Sequence, residues 1–273
     1  MNNYNNFRPS LEKINLKKYP ISYEQYKAGY DIIYNNLRLG NSYLANLTYP
    51  TKIEIELTLE EIFQISSAKY KLFFKDTYVS FSPESFVKIK DGKIYSYPMK
   101  GTIDASLANA ENVILNDEKE TAEHVTIVDL IRNDLGIISK KVEVTKYRFI
   151  DKIYTSGKTL LQVSSEIVGE LYDGYQKNLG EIIYNLLPAG SVTGAPKKKT
   201  VEIIKEAEKY DRGYYTGIFG YYENGFLDSG VTIRFIEKIG NDFYYKSGGG
   251  ITIYSDPEKE YNELKDKIYV PIS

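Results

Sequence analysis

The chain contains no cysteine, no tryptophan and a single histidine, His124. Without cysteine there is no disulfide, no thiolate zinc centre and no thiol nucleophile. One histidine excludes a histidine-rich metal site. A Ser-His-Asp triad would have to use His124, and no G-x-S-x-G turn is present to carry its serine. Any bound metal is therefore expected to be a hard ion on oxygen ligands, which points to Mg²⁺. Charge of one sign is also missing: 35 basic side chains face 37 acidic ones, so the basic footprint of a nucleic-acid-binding domain is absent. No apolar run approaches the roughly 18 residues of a membrane span. The start, Met1-Asn-Asn-Tyr-Asn-Asn-Phe, lacks the charged-then-apolar layout of a signal peptide. A cytoplasmic protein with neither nucleic-acid nor membrane partners is expected.

Apolar residues make up 42% of the 273 positions, enough for a substantial core. The 27 tyrosines are scattered through the chain and read as packing residues. No repeat, linker or low-complexity tract interrupts it. Apolar spacing predicts helices over residues 22–40, 59–67, 117–135, 179–187, 197–209 and 257–269. Strands are expected at 43–47, 52–57, 71–74, 78–81, 86–90, 93–97, 142–148, 160–171, 217–222, 227–237 and 242–247, with Asp91-Gly92 as a hairpin turn. Consecutive strands broken by single helices predict an α+β fold, with antiparallel sheets and helices packed outside them. One domain is expected over residues 21–273, after a short N-terminal extension at 1–20.

Candidate chemistry clusters in a few places. Glu120 and Glu123 share a helix face at i, i+3, and Glu260 and Glu263 repeat that spacing. Solvated helix surface is the plainer reading of such pairs. The second pair, however, follows the bare backbone of Gly248-Gly249-Gly250 and precedes Lys267. Two such pairs can hold one hard cation between two helices, some through water. The loop 187–197 is glycine-rich and runs into a helix start, where backbone N–H groups favour anions. Glu84 follows a proline at a strand start, and Lys100 precedes Gly101 at a turn; a functional lysine there needs burial or nearby charge. Arg234 among apolar neighbours either snorkels or pairs with an anion.

Read in order over residues 20–270, these motifs resemble the chorismate-utilising enzymes. They are Ser82-Pro-Glu-Ser-Phe, Pro98-Met-Lys-Gly-Thr, residues 120–134, residues 188–197, Asp211-Arg-Gly with residues 217–222, Arg234, and residues 248–263. The resemblance implies two antiparallel sheets packed face to face with helices outside, as in anthranilate synthase component I, and an active site between the sheets. It implies Mg²⁺ held by Glu120, Glu123, Glu260 and Glu263 against the ring carboxylate of chorismate. Arg234, Tyr221, Lys267 and the Gly248, Gly249 and Gly250 backbone match positions that grip substrate carboxylates. Thr193 and Gly194 match the loop beside the ring, His124 the motif histidine near it, and Glu84 the general acid/base. Water-adding members resemble one another in having a lysine where this chain has Leu44. Anthranilate synthases typically have alanine at the position of Lys100 and favour serine at that of Thr193. These positions lean toward the aminodeoxychorismate synthase branch, on the route to para-aminobenzoate and folate. That branch aminates carbon 4 through a covalent Lys100 intermediate, with ammonia from a separate glutamine amidotransferase subunit. Anthranilate synthase component I and a catalytically silent chorismate-binding module remain open alternatives. A tryptophan-binding N-terminal region is not expected.

Overall fold

The computed structural model describes residues 15–154 and 159–272, so most of the expected N-terminal extension lies outside the described residues. Strand β1 (Lys17–Tyr19) leads into α1 (Tyr23–Arg38), β2 (Leu44–Glu54) and α2 (Leu59–Ile65). Short strands follow: β3 (Tyr70–Phe74), β4 (Tyr78–Ser82), β5 (Ser85–Lys90), β6 (Lys93–Ser96) and β7 (Met99–Asp104). Helices α3 (Ala110–Leu115) and α4 (Glu118–Ile138) precede the long pair β8 (Ser139–Tyr154) and β9 (Thr159–Leu171). Next come α5 (Leu179–Leu186), β10 (Gly194–Ala195) and α6 (Lys197–Glu208). Strands β11 (Ile218–Glu223), β12 (Phe226–Val231), β13 (Phe235–Ile239) and β14 (Asp242–Ile251) lead to α7 (Pro257–Asp266).

Two antiparallel sheets carry the described strands. The first has the order β1-β2-β14-β13-β4-β3, with β10 also on β2. The second has the order β11-β12-β5-β6-β9-β7, with β8 also on β9. Helices coat the first sheet: Ala45, Leu47 and Tyr49 of β2 pack with Tyr26, Tyr30 and Ile33 of α1 and Ile203 of α6. Against the second sheet, Val128, Leu135 and Ile138 of α4 and Ile182 of α5 pack on Ile89, Ile94 and Ile167. This is the α+β arrangement expected from the strand grouping.

The helix starts are fixed by local chemistry. Ser22 caps α1 and Gln25 reciprocates, closing a capping box. The Asp117 side chain accepts from the Glu120 amide at the start of α4. Asp256 caps α7, with Pro257 in the first turn. Asp91 and Gly92 both have positive φ, as a two-residue hairpin turn requires.

Three expected strands differ from those observed, for two identifiable reasons. Residues 43–47 and 52–57 are parts of one strand, β2, despite Pro50. On one side β2 pairs with β14 from residue 45 to residue 53. On the other, β10 covers residues 44–45 and β1 covers 52–54. Pro50 lies in the gap, where its missing N–H forfeits no ladder bond. Residues 227–237 are two strands in different sheets. Arg234 adopts a left-handed φ of 51°, and the chain crosses there from β12 in the second sheet to β13 in the first. The arginine expected inside a strand thus sits at the crossing. Helix α3 and strand β7 were not anticipated by periodicity.

Candidate active site

A cavity of about 600 Å³ lies between elements of both sheets and the helices α4 and α7. Its lining brings together Glu84, Lys100, Glu120, Glu123, Arg234, Gly248, Gly249, Gly250, Glu260, Glu263 and Lys267. Residues separated by up to 183 positions therefore meet in one space, because β7, α4, the β12–β13 crossing, the end of β14 and α7 all border it.

Lys100, on β7, places its ammonium 3.2 Å from the Glu123 carboxylate. Burial alone would push the Lys100 pKa down, but Glu123, Glu120 and Glu263 outweigh it and hold the group above the ordinary lysine value. Lys267 bridges Glu263 and the Gly248 carbonyl. The glycine run sits between these groups. A Cβ at Gly249 would lie 3.4 Å from Glu263 and 3.5 Å from Glu260; one at Gly250 would lie 3.2 Å from the Lys100 amine. Bare backbone is thus what keeps this part of the cavity open.

Glu123 and Glu260 are 5% and 3% exposed, so these carboxylates need cationic or hydrogen-bonding partners. Four carboxylates bordering one cavity are the donor chemistry a hard divalent cation takes. As the side chains stand, no three acidic or histidine groups among the described residues come close enough together to hold a metal ion.

Glu84 follows β4. Burial raises its pKa, and the Ser191 hydroxyl, Lys100, Arg234 and Lys267 only partly offset that. Its protonated form is therefore favoured over that of an ordinary glutamate. Arg234 has its Nε buried without a hydrogen-bond partner, and its guanidinium lies 5.5 Å from the Tyr269 ring centroid.

The 189–194 loop is clamped from several sides. Lys197 pairs with Asp134 of α4 at 2.7 Å and donates to the Leu186 carbonyl. Gly190 packs on Leu130 so closely that a Cβ would come within 2.7 Å. Gly194 pairs with Ala45 of β2 at φ 125°, where a Cβ would fall 1.8 Å from the Leu44 carbonyl oxygen.

Several expected residues stand outside the lining. Thr193 is buried behind the loop, donating to the Ala189 carbonyl, and its neighbours Ser191 and Val192 face the cavity instead. Gly194 likewise serves strand pairing. Tyr221 lies on β11, at the sheet edge, 58% exposed and packed on Phe226. The expected grip on substrate would need this ring at the cavity, and the lining does not include it. Tyr215, which sequence reasoning missed, lines the cavity. Two near-identical tyrosines six residues apart carry no signal that separates them until the strand edge is known.

His124 is next to Glu123 yet 1% exposed, and it too is absent from the lining. Its Nε2 lies 2.7 Å from the Ser165 hydroxyl, joining α4 to β9. Burial, with Arg148 and Lys100 nearby, pushes its pKa down to about 4. The imidazole is therefore neutral at pH 7. Between the unfolded value near 6.5 and about 4, the unfolded chain binds the proton and the folded chain does not. Stability is full above that window and falls as pH drops through it, by about 3 kcal/mol from this one group. Denaturant titrations of wild type and His124→Gln at pH 7 and 5 check this. The variant should show the shallower loss; equal losses would remove the assignment.

No helix among the described residues is long and apolar enough to cross a membrane. The chain matches the chorismate binding enzyme family over residues 2–273. It is 52% identical to a protein of Haemophilus influenzae named as an uncharacterized PabA-like protein, over 95% of this chain and 79% of that one. It is 34% identical to aminodeoxychorismate synthase component 1 of Bacillus subtilis, over 96% of this chain and 54% of that one. Anthranilate synthase component I from Streptococcus pneumoniae superposes with a TM-score of 0.80 at 28% identity, covering 94% of this chain and 59% of that one. The chain thus spans little more than half of the last two. With its fold, its cavity and these relatives agreeing, the chain belongs to the chorismate-binding enzyme family.

Proposed function

We propose that the protein aminates chorismate at carbon 4 to give 4-amino-4-deoxychorismate. The observation that carries this reading is the Lys100 ammonium against Glu123, in the same cavity as Glu84 and Arg234. The relative from Bacillus subtilis, named aminodeoxychorismate synthase component 1, supports it.

Arg234 and Lys267, with the Gly248–250 backbone, receive the substrate carboxylates; a carboxylate at Arg234 would give its buried Nε an acceptor. Lys100 first passes its proton to Glu123, the nearest carboxylate. The free Nζ then bonds to ring carbon 2, the ring double bond shifts, and the carbon 4–oxygen bond breaks. The hydroxyl leaves as water with the proton of Glu84, whose raised pKa keeps that proton available. Ammonia bonds to carbon 4, the double bond shifts back, and the carbon 2–Nζ bond breaks. The Glu84 carboxylate takes the extra proton from the new ammonium, and the lysine leaves as the free amine. A covalent intermediate divides one hard substitution into two easier ones. Mg²⁺ at Glu120, Glu123, Glu260 and Glu263 would neutralise and orient the ring carboxylate when bound. The ammonia would come from a glutamine amidotransferase partner, since these 273 residues hold no cysteine for a Cys-dependent glutaminase.

Incubation with chorismate, ammonium and Mg²⁺ tests the reading. The expected product is 4-amino-4-deoxychorismate without pyruvate. Fluorescent anthranilate with pyruvate would instead assign the anthranilate synthase reaction, which the Streptococcus pneumoniae likeness favours. No consumption, even with a glutaminase partner, would leave a silent binding module.

A further inference from the structure

The most completely hydrogen-bonded side chain behind the cavity is not a lining residue at all. Arg212 follows α6 and makes five hydrogen bonds. Its Nε and Nη2 hold the Glu208 carboxylate at 2.9 and 2.6 Å. Nη1 donates to the Val192 carbonyl at 2.8 Å and to the Thr216 hydroxyl at 3.4 Å. Nη2 also donates to the Asn46 carbonyl at 2.7 Å. Glu208, fully enclosed, accepts in addition from the Thr48 amide and hydroxyl, each at 2.8 Å. The Arg212 carbonyl accepts from Lys246 of β14 at 2.9 Å.

The backbone groups at the far ends of this network belong to the cavity wall. Val192 and Asn46 both line it. Val192 directly follows Ser191, which lines the same cavity as Glu84. Asn46 and Thr48 are the register partners of Gly250 and Gly248. One guanidinium therefore ties the loop that borders the cavity beside Glu84 to the strand that backs the glycine run. We infer that Arg212, seated on Glu208, is a positioning residue that sets the distance between Glu84 and the Gly248–250 backbone. A planar fork of five donors is needed for this task. A lysine could keep the charge opposite Glu208 but could not also reach both carbonyls in fixed directions. A reacting group moved by about 1 Å costs on the order of 100-fold in rate.

The experiment compares Arg212→Lys with wild type in two ways, and only its kinetic arm rests on the amination reading. In the free protein, hydrogen exchange of the residue 190–194 amides should speed up at least about tenfold, while β9 amides stay as they were. In the chorismate assay kcat should fall about 10- to 100-fold, with KM moving less than about threefold. Ile89→Val, in the second sheet's core, is the comparator for a general loss of stability. It should lower Tm yet leave both the loop exchange and kcat near wild type. Unchanged loop exchange in Arg212→Lys, unchanged kcat, or the same loop opening in Ile89→Val would each overturn the inference. Should Arg212→Lys not fold, Glu208→Asp withdraws the seat of the guanidinium and is read by the same criteria. If wild type consumes no chorismate, the amination reading falls while the exchange arm still decides the role of Arg212.

Discussion

Lys100→Ala should reduce amination with free ammonia by on the order of 1000-fold or more, about 4 kcal/mol of barrier. The loss follows from removing the only group in the proposed scheme that bonds to carbon 2. The substitution has a second effect, since it leaves Glu123 in a nearly closed site without its ammonium partner. Breaking a buried pair by removing one member costs about 3–5 kcal/mol of stability, so alanine alone conflates chemistry with folding. Lys100→Arg separates them. Arginine keeps a positive charge near Glu123 but stays protonated and cannot attack. Both variants should lose turnover, while the arginine variant keeps most of its thermal stability. An arginine variant that still aminates chorismate at an appreciable rate would remove Lys100 from the role of nucleophile.

Glu84→Gln should lower kcat by about 100- to 10,000-fold, the range for a positioned general acid or base. Here activity and stability are expected to move in opposite directions. The Glu84 pKa is raised by burial, so folding favours its protonated form. Between the unfolded and folded values the folded state holds the extra proton, and stability declines as pH rises through that window. Glutamine is neutral at every pH and nearly the same size, so the variant should be at least as stable as wild type at pH 7. Its rate should also lose the alkaline fall that wild type shows as Glu84 gives up its proton. Denaturant midpoints with a pH–rate profile check both halves. A variant retaining wild-type kcat would shift the acid role to another group.

The helices were legible because several signals coincide in them. In α1 an apolar stripe and a reciprocal cap agree, and in α4 an acidic cap precedes a long apolar run. The crossing at Arg234 was not legible. Sharp turns are usually marked by glycine, proline or asparagine, but here an arginine takes the left-handed conformation inside an unbroken apolar run. The two strands expected at 43–47 and 52–57 erred in the opposite sense, since the pairing with β14 runs unbroken from residue 45 to residue 53. The cavity-facing set was largely readable from motifs, since Glu84, Lys100, the four glutamates and the glycine run all border one space. Arg212 was visible in Asp211-Arg-Gly, and Glu208 four residues earlier offers it a partner, but its task was not readable, because the two groups it ties together are backbone carbonyls 20 and 166 positions away. No side-chain pattern encodes a carbonyl.

The crossing between β12 and β13 also bears on how the chain reaches its native state. Neither sheet is contiguous in sequence: β2 waits for β14, and β5 waits for β12. Residue 45 meets residue 251, and residue 89 meets residue 227. Such pairings close long loops before any contact repays them, which slows folding relative to local topologies. The C-terminal segment from β13 onward supplies two central strands of the first sheet, so a chain shortened before it has no complete first sheet to form. Synthesis must therefore have passed residue 251 before the cavity can close around anything.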